Sequence, residues 1–381
     1  MFPYFICFSI ALTFSKISEY FRIKNINLYY FFMILSILVL SIFAGIRNLN
    51  VGTDIAVYGQ STFEIAVNSN DFLQMINHSS GIELGYNFIN YIVSRFTHNL
   101  NILLFVISLI TNSAVYVSFV NFRKSTSVVS SFFTYLMLFY GVTLCLLRQS
   151  LAISFVLLSI SYYISTKKIK IPIILIFLAA TFHSSGWFGG LLLIFVYWLS
   201  NGKGKKLSKL IILYCVTLIL ILTSVNIIFN TLYSFGLFSE KYSQYFGGNL
   251  SIVNYTSGIS INNLYRLIFV AGYIFIYSII KKENDKDILL LLSFVILDFL
   301  ILFLKGTGGQ SVSRIGMYVS WFCSISYFAP IKYINDISTK RILTYLYIIV
   351  LIVVFINSTI HQPIGGSGYG IYPYSTVMFP Y

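Results

Sequence analysis

Charge is what this 381-residue chain has least of: 9% of its residues are Asp, Glu, Lys or Arg, while 57% are hydrophobic. Soluble domains carry about 25% charged residues, so a water-soluble globule is excluded. Cysteine is scarce as well. Cys7, Cys145, Cys215 and Cys323 each sit inside an apolar run and form no CxxC pair, which argues against a disulfide framework or a zinc site. Acidic residues number only 11, with no DxD, no HExxH and no carboxylate triad. A P-loop and a Gly-rich dinucleotide fingerprint are missing too, so the sequence offers no signature for a metal or nucleotide cofactor. No repeat of 20–50 residues is visible, which gives an inverted-repeat transporter no support. The start of the chain has neither a basic n-region nor a small-residue cleavage site, so the first apolar run is expected to stay as a helix.

What the chain does have is one apolar run after another, many long enough to cross a hydrocarbon layer of about 30 Å. The expected architecture is all-α and polytopic: a single transmembrane domain over residues 1–381 with about twelve membrane helices. Residues 47–101 and 230–260 are its main external loops. Within the first loop, Glu83, Asn87, Asn90 and Ser94 recur at helical spacing, with Leu84, Phe88, Tyr91 and Ile92 away from that stripe. The spacing predicts an amphipathic helix over 83–96 on the outer surface or dipping into a cavity.

The formal net charge of +14 suggests a polyanion, but the placement of the charges points to a membrane instead. Lys-rich loops follow alternate apolar runs, as cytoplasmic loops do, and this alternation places both termini outside. Their expected neighbours are anionic lipid head groups rather than nucleic acid. The basic residues left on the outer side are Arg47, Arg95, Arg148, Lys241, Arg266, Lys305 and Arg314, and Arg dominates among them. Arg is the side chain that grips a phosphate bidentately and stays charged while doing so.

Several polar residues return to this outer face. Arg47 and Asp54 flank Gly52, which permits a tight turn. They either pair with each other or divide their work, Arg47 on a phosphate and Asp54 on a sugar hydroxyl. Thr53 or Asp54 can cap a helix that would carry Tyr58 one turn on. Arg148-Gln149 stands between two apolar runs with no room for a loop. It either snorkels to lipid phosphates or lines a cavity that binds a phosphorylated ligand. Arg314 poses the same choice. His183, in Thr-Phe-His-Ser-Ser-Gly, is either satisfied by Ser184 or Ser185, or serves as a general base or a donor to a phosphate. Glu83 is a second candidate base. Asp298, in mid-run, reads as a polar contact between helices. With no metal signature, departing phosphate charge would have to be stabilised by Arg.

Five pieces in order resemble the EpsG/Wzy family of polysaccharide polymerases, membrane-embedded glycosyltransferases of the GT-C type. They are Arg47 with Val51-Gly-Thr-Asp54 and Tyr58; Glu83-Leu-Gly-Tyr86; Leu147-Arg148-Gln149-Ser-Leu-Ala152; Phe182-His183-Ser184-Ser185; and Arg314 with Tyr318. The resemblance implies an O-antigen or capsule polymerase on the outer face of the bacterial inner membrane. Such an enzyme moves a growing glycan from undecaprenyl pyrophosphate to an incoming lipid-linked repeat unit. Donor, acceptor, membrane lipids and a chain-length regulator would be its partners, and it would need neither metal nor cofactor. On this reading Arg47, Arg148, Arg314 and Arg266 hold the pyrophosphate, and His183, Glu83 and Asp54 carry the catalytic roles. Tyr58, Tyr86 and Gln149 contact sugar, with Tyr242, Tyr245 and Tyr255 as flat surfaces for sugar rings. The rival readings are an O-antigen ligase that delivers to lipid A core, a lipid-linked oligosaccharide flippase, and a non-catalytic membrane subunit.

Overall fold

The computed structural model describes residues 1–201, 261–280, 286–365 and 368–376, with a few positions between 212 and 219. The chain forms two compact units, residues 1–193 with 347–381 and residues 194–346. Among the described residues the secondary structure is helical apart from two isolated β-bridges, Arg47–Thr376 and Pro363–Tyr372. The apolar run at 210–229, the loop at 230–260 with Tyr242, Tyr245 and Tyr255, and most of the lysines at 203–209 and 281–286 lie outside the described residues.

The first unit is a row of helices. α1 (Phe2–Phe21) and α2 (Ile26–Gly45) form a hairpin whose second arm is capped by Asn25, its side chain accepting from the Asn27 and Leu28 amides. Small hydroxyls stitch the arms together: Ser36 donates to the Ala11 carbonyl and Ser18 to that of Tyr29. Such bonds suit a medium in which backbone groups have no water to turn to. α2 packs on α6 (Leu100–Asn121), α6 on α9 (Leu147–Thr166), and α9 on α10 (Lys170–Phe182). At one end of this row Glu19 lies 3.5 Å from Arg22 and 3.6 Å from Arg123, and Arg123 donates to the Tyr29 hydroxyl at 2.7 Å. The basic turns after α1 and α6 therefore share one end. The Arg47 loop, the start of α9 and the end of α10 belong to the other.

Among the described residues four helices are long and apolar enough to cross a membrane: Ile26–Gly45, Leu100–Asn121, Leu147–Thr166 and Ile337–Ile360. The expected number of about twelve is not reached among the described residues, for two reasons. Some apolar runs form helices well short of the roughly 20 residues a crossing takes, such as Lys170–Phe182 and α11 (Phe188–Asn201). The run at 128–147 is divided into α7 (Val128–Leu138), α8 (Tyr140–Cys145) and the start of α9, with non-helical backbone at Phe139 and Leu146.

The amphipathic segment forms α5 (Leu84–Ser94), preceded by α3 (Gln60–Asn68) and α4 (Phe72–His78). Its polar stripe faces inward. Asn87, Asn90 and Ser94 are buried, bonding to Ser79, the Tyr86 carbonyl and the Ala66 carbonyl, whereas Leu84 and Phe88 are more than half exposed. A polar lining with an apolar exterior is the arrangement a lipid-facing element needs.

In the second unit α12 (Ile261–Ile280) packs on a helical segment, α13 (Lys286–Ser320), followed by a short turn, α14 (Cys323–Ser326). α13 is a hairpin rather than a rod. Ser320 donates to Asp298, Phe294 stacks on Phe322 at 4.2 Å, and Gly316 lies against Ile301. A straight helix would hold Asp298 and Ser320 about 33 Å apart. The chain must therefore reverse between Ile301 and Gly316, the stretch that contains Gly306, Gly308 and Gly309. α15 (Ile337–Ile360) follows, and from Tyr347 on its residues belong to the first unit.

Candidate functional site

The first unit gathers its chemistry at the end away from the Glu19 cluster. Asn101, in the first turn of α6, donates to the carbonyls of Gly45 and Arg47 and so fixes the exit from α2. The chain then turns through Gly52, whose φ is +100° and whose hypothetical Cβ would sit 2.2 Å from the Leu144 carbonyl oxygen. Both the angle and the space require glycine there. The next residue, Thr53, has its hydroxyl 2.9 Å from the Cys145 sulfur.

The helix that starts here contains one wide π-turn, Ile55–Gly59, before α3 continues it. Such turns recur at functional sites because they re-aim side chains. Here the Tyr58 hydroxyl donates to Asp54 Oδ2 at 2.5 Å. Burial, with the adjacent Asp54 carboxylate, pushes the Tyr58 phenol well above its usual range and keeps it a donor.

Arg148 lies in the first turn of α9. Its guanidinium carbon stands 4.1 Å over the Tyr58 ring, and Nη1 lies 2.5 Å from Glu83 Oε2. The planar cation is thus stacked on one face and paired at one edge, geometry that Lys could not reproduce. Glu83 precedes α5, and its second oxygen accepts from the Ser184 amide at 3.3 Å. Tyr86, buried one turn on, meets the Tyr58 ring edge-on at 5.8 Å. Gly85 lets α5 approach the end of α10; a Cβ there would sit 2.4 Å from the Thr181 hydroxyl.

His183 ends α10, and its Nδ1 accepts from the Ser185 amide at 3.2 Å and lies 2.6 Å from the Ser185 hydroxyl. An amide N–H can only donate, so Nδ1 carries no proton in this arrangement. The neutral ring then holds its proton on Nε2, as a donor. Gly186 fits the turn back toward α11, where a Cβ would strike the Ala179–Ala180 peptide at 2.6 Å.

The structure therefore joins Asp54, Tyr58, Glu83, Tyr86 and Arg148 directly, with His183 one residue from the Ser184 amide that Glu83 holds. Gln149 is buried beside Arg148 in the chain. Arg47 belongs to the same end of the unit but is only 1% exposed, beneath the segment that ends at Thr376. Arg266 and Arg314 belong to the second unit. Arg266 Nε lies 2.7 Å from Asp298 Oδ2, and Arg314 is half-buried on α13. Asp298 also accepts from Ser320 and, at 3.4 Å, from Tyr327, so it does link helices. Sequence reasoning missed Gly85, Cys145 and the C-terminal segment. Only Gly85, inside Glu83-Leu-Gly-Tyr86, gave a usable signal: a glycine in a helix has to be excused by a close approach.

Among the described residues no group of three His, Cys, Asp or Glu side chains is placed to hold a metal ion. The arrangement can bind an anion at Arg148, exchange it against Glu83, and move a proton through a carboxylate. By helix length and composition this is a helical multi-pass membrane protein with an arginine–carboxylate site at one end of its helix row. The EpsG family model matches residues 29–376, nearly the whole chain, and the chain belongs to that family, which is linked to polysaccharide biosynthesis. No curated protein and no solved structure matches it significantly.

Proposed function

We propose that this EpsG-family protein is a surface-polysaccharide polymerase on the outer face of the bacterial inner membrane. It transfers a growing glycan from undecaprenyl pyrophosphate to an incoming lipid-linked repeat unit. The observation that carries the reading is Arg148, stacked on Tyr58 and paired with Glu83 at a half-buried position. A diphosphate competes for that guanidinium on better terms than a single carboxylate does, because it offers more charge and more acceptors.

Binding of the donor diphosphate displaces Glu83 from Arg148. The acceptor hydroxyl oxygen then attacks the anomeric carbon, and the bond from that carbon to the diphosphate oxygen breaks with its electrons leaving on the diphosphate. Glu83, freed of its ion pair, takes the hydroxyl proton. His183, protonated on Nε2, donates to a diphosphate oxygen rather than serving as base, while Arg148 stabilises the departing charge. Asp54 holds Tyr58 in place, and with it the ring on which Arg148 rests. Tyr86 and Gln149 flank the sugar. Arg266 is already committed to Asp298 within the second unit.

The test is purified full-length protein incubated with a synthetic lipid-diphosphate repeat unit, with products separated by gel or mass. Dimers and longer chains are expected. A product that forms only when lipid A core is supplied would instead identify a ligase, and no product under either condition would refute the glycosyltransferase reading.

A further inference from the structure

The segment that seals Arg47 comes from the other end of the sequence. The Asn48 amide donates to the Ser375 carbonyl at 3.0 Å, the Gly52 amide to that of Gly370 at 2.9 Å, and the Thr53 amide to that of Tyr369 at 3.3 Å. Residues Arg47 and Thr376 form an antiparallel bridge. The Tyr374 ring stacks on Phe43 at 3.9 Å and its hydroxyl donates to the Phe43 carbonyl at 2.5 Å, while Tyr4 donates to the Ile371 carbonyl at 2.7 Å. A stretch of backbone pairing thus clamps the Arg47–Thr53 loop, whereas the described residues elsewhere are mainly helical.

Beneath it, Arg47 Nε and Nη1 meet no hydrogen-bond acceptor among the described residues. Its polar neighbours include the phenols of Tyr140, Tyr374 and Tyr4 and the Cys145 thiol. Those phenols donate their protons to the carbonyls of Leu40, Phe43 and Ile371, which leaves their oxygens as acceptors only. Arg47 is therefore a buried guanidinium whose Nε and Nη1 the described residues leave without an acceptor, an expensive arrangement for stability alone.

We infer that the C-terminal segment Gly368–Thr376 is a strap that positions the Arg47–Asp54 loop, with Tyr374 as its anchoring residue. The activity side of this inference rests on the polymerase reading; the structural side does not. The structural arm follows Cys145, whose sulfur contacts Thr53 and which is buried in the intact protein. Tyr374→Ala in the full chain is expected to make Cys145 reactive toward a water-soluble maleimide. Continued inertness would overturn the strap whatever the protein catalyses.

A second arm uses Asn50→Cys with Ser375→Cys, whose native side chains approach to 3.3 Å. The oxidised pair should elongate polymer at the wild-type rate; activity that vanishes on oxidation and returns on reduction would mean a moving lid and overturn the strap.

Discussion

Two of the arginine–carboxylate pairs, one from each unit, close to nearly the same distance in different surroundings. Arg148–Glu83 closes at 2.5 Å and Arg266–Asp298 at 2.7 Å. The first pair leaves 15% and 20% of its side chains exposed, the second 11% and 2%. Asp298 is ion-paired with Arg266 and accepts from Ser320 and Tyr327, so its lone pairs are largely spent inside the unit. Glu83 accepts from Arg148 and one long backbone bond, and its partner rests on an aromatic face that would serve equally with an anion bound. A charge pair alone therefore says little about function. Access, together with hydrogen-bonding capacity that a ligand can take over, separates an exchangeable pair from a clasp.

The clasp should break hardest. Asp298→Ala leaves a buried guanidinium without its partner and is expected to cost about 3–5 kcal/mol, read as a lower melting temperature in detergent. An apolar replacement of both Arg266 and Asp298 should recover most of that loss, since well-packed hydrophobic residues often equal a buried ion pair. The exchangeable pair should behave in the opposite way. Arg148→Gln should leave the melting temperature nearly unchanged and lower the rate of elongation about 10²–10³-fold, the usual effect of losing a group that stabilises departing charge. Tyr58→Phe is the mildest test. It keeps the ring under Arg148 and removes the bond to Asp54, and a loss of about tenfold in rate is expected. A Tyr58→Phe protein as inactive as Arg148→Gln would move Tyr58 from support into the reaction itself.

Much of this site could be read in the sequence because ionisable groups at the ends of apolar helices are costly and therefore few. Glu83, Arg148 and His183 stand out for that reason, and the four-residue step from Asp54 to Tyr58 puts that pair one helical turn apart. The inward polar face of α5 was half-legible: the stripe was visible, but which side faced the protein depends on the medium outside. Less legible is what covers Arg47: a segment more than 300 residues away whose tyrosines look like ordinary interfacial aromatics in sequence. No local pattern announces that Tyr4, Tyr140 and Tyr374 converge. The number of membrane crossings was harder still, since non-helical backbone at Phe139 and Leu146 interrupts a continuous apolar run.

The account turns on whether Glu83 holds the place of a ligand diphosphate on Arg148. The most direct measurement is the affinity of the purified protein, of Glu83→Gln and of Arg148→Gln for a short-chain polyprenyl diphosphate, by calorimetric titration. Removing the competing carboxylate should tighten binding while abolishing elongation, and removing the guanidinium should weaken binding by about tenfold or more. Equal affinities for all three proteins, or weaker binding by Glu83→Gln, would contradict the exchange.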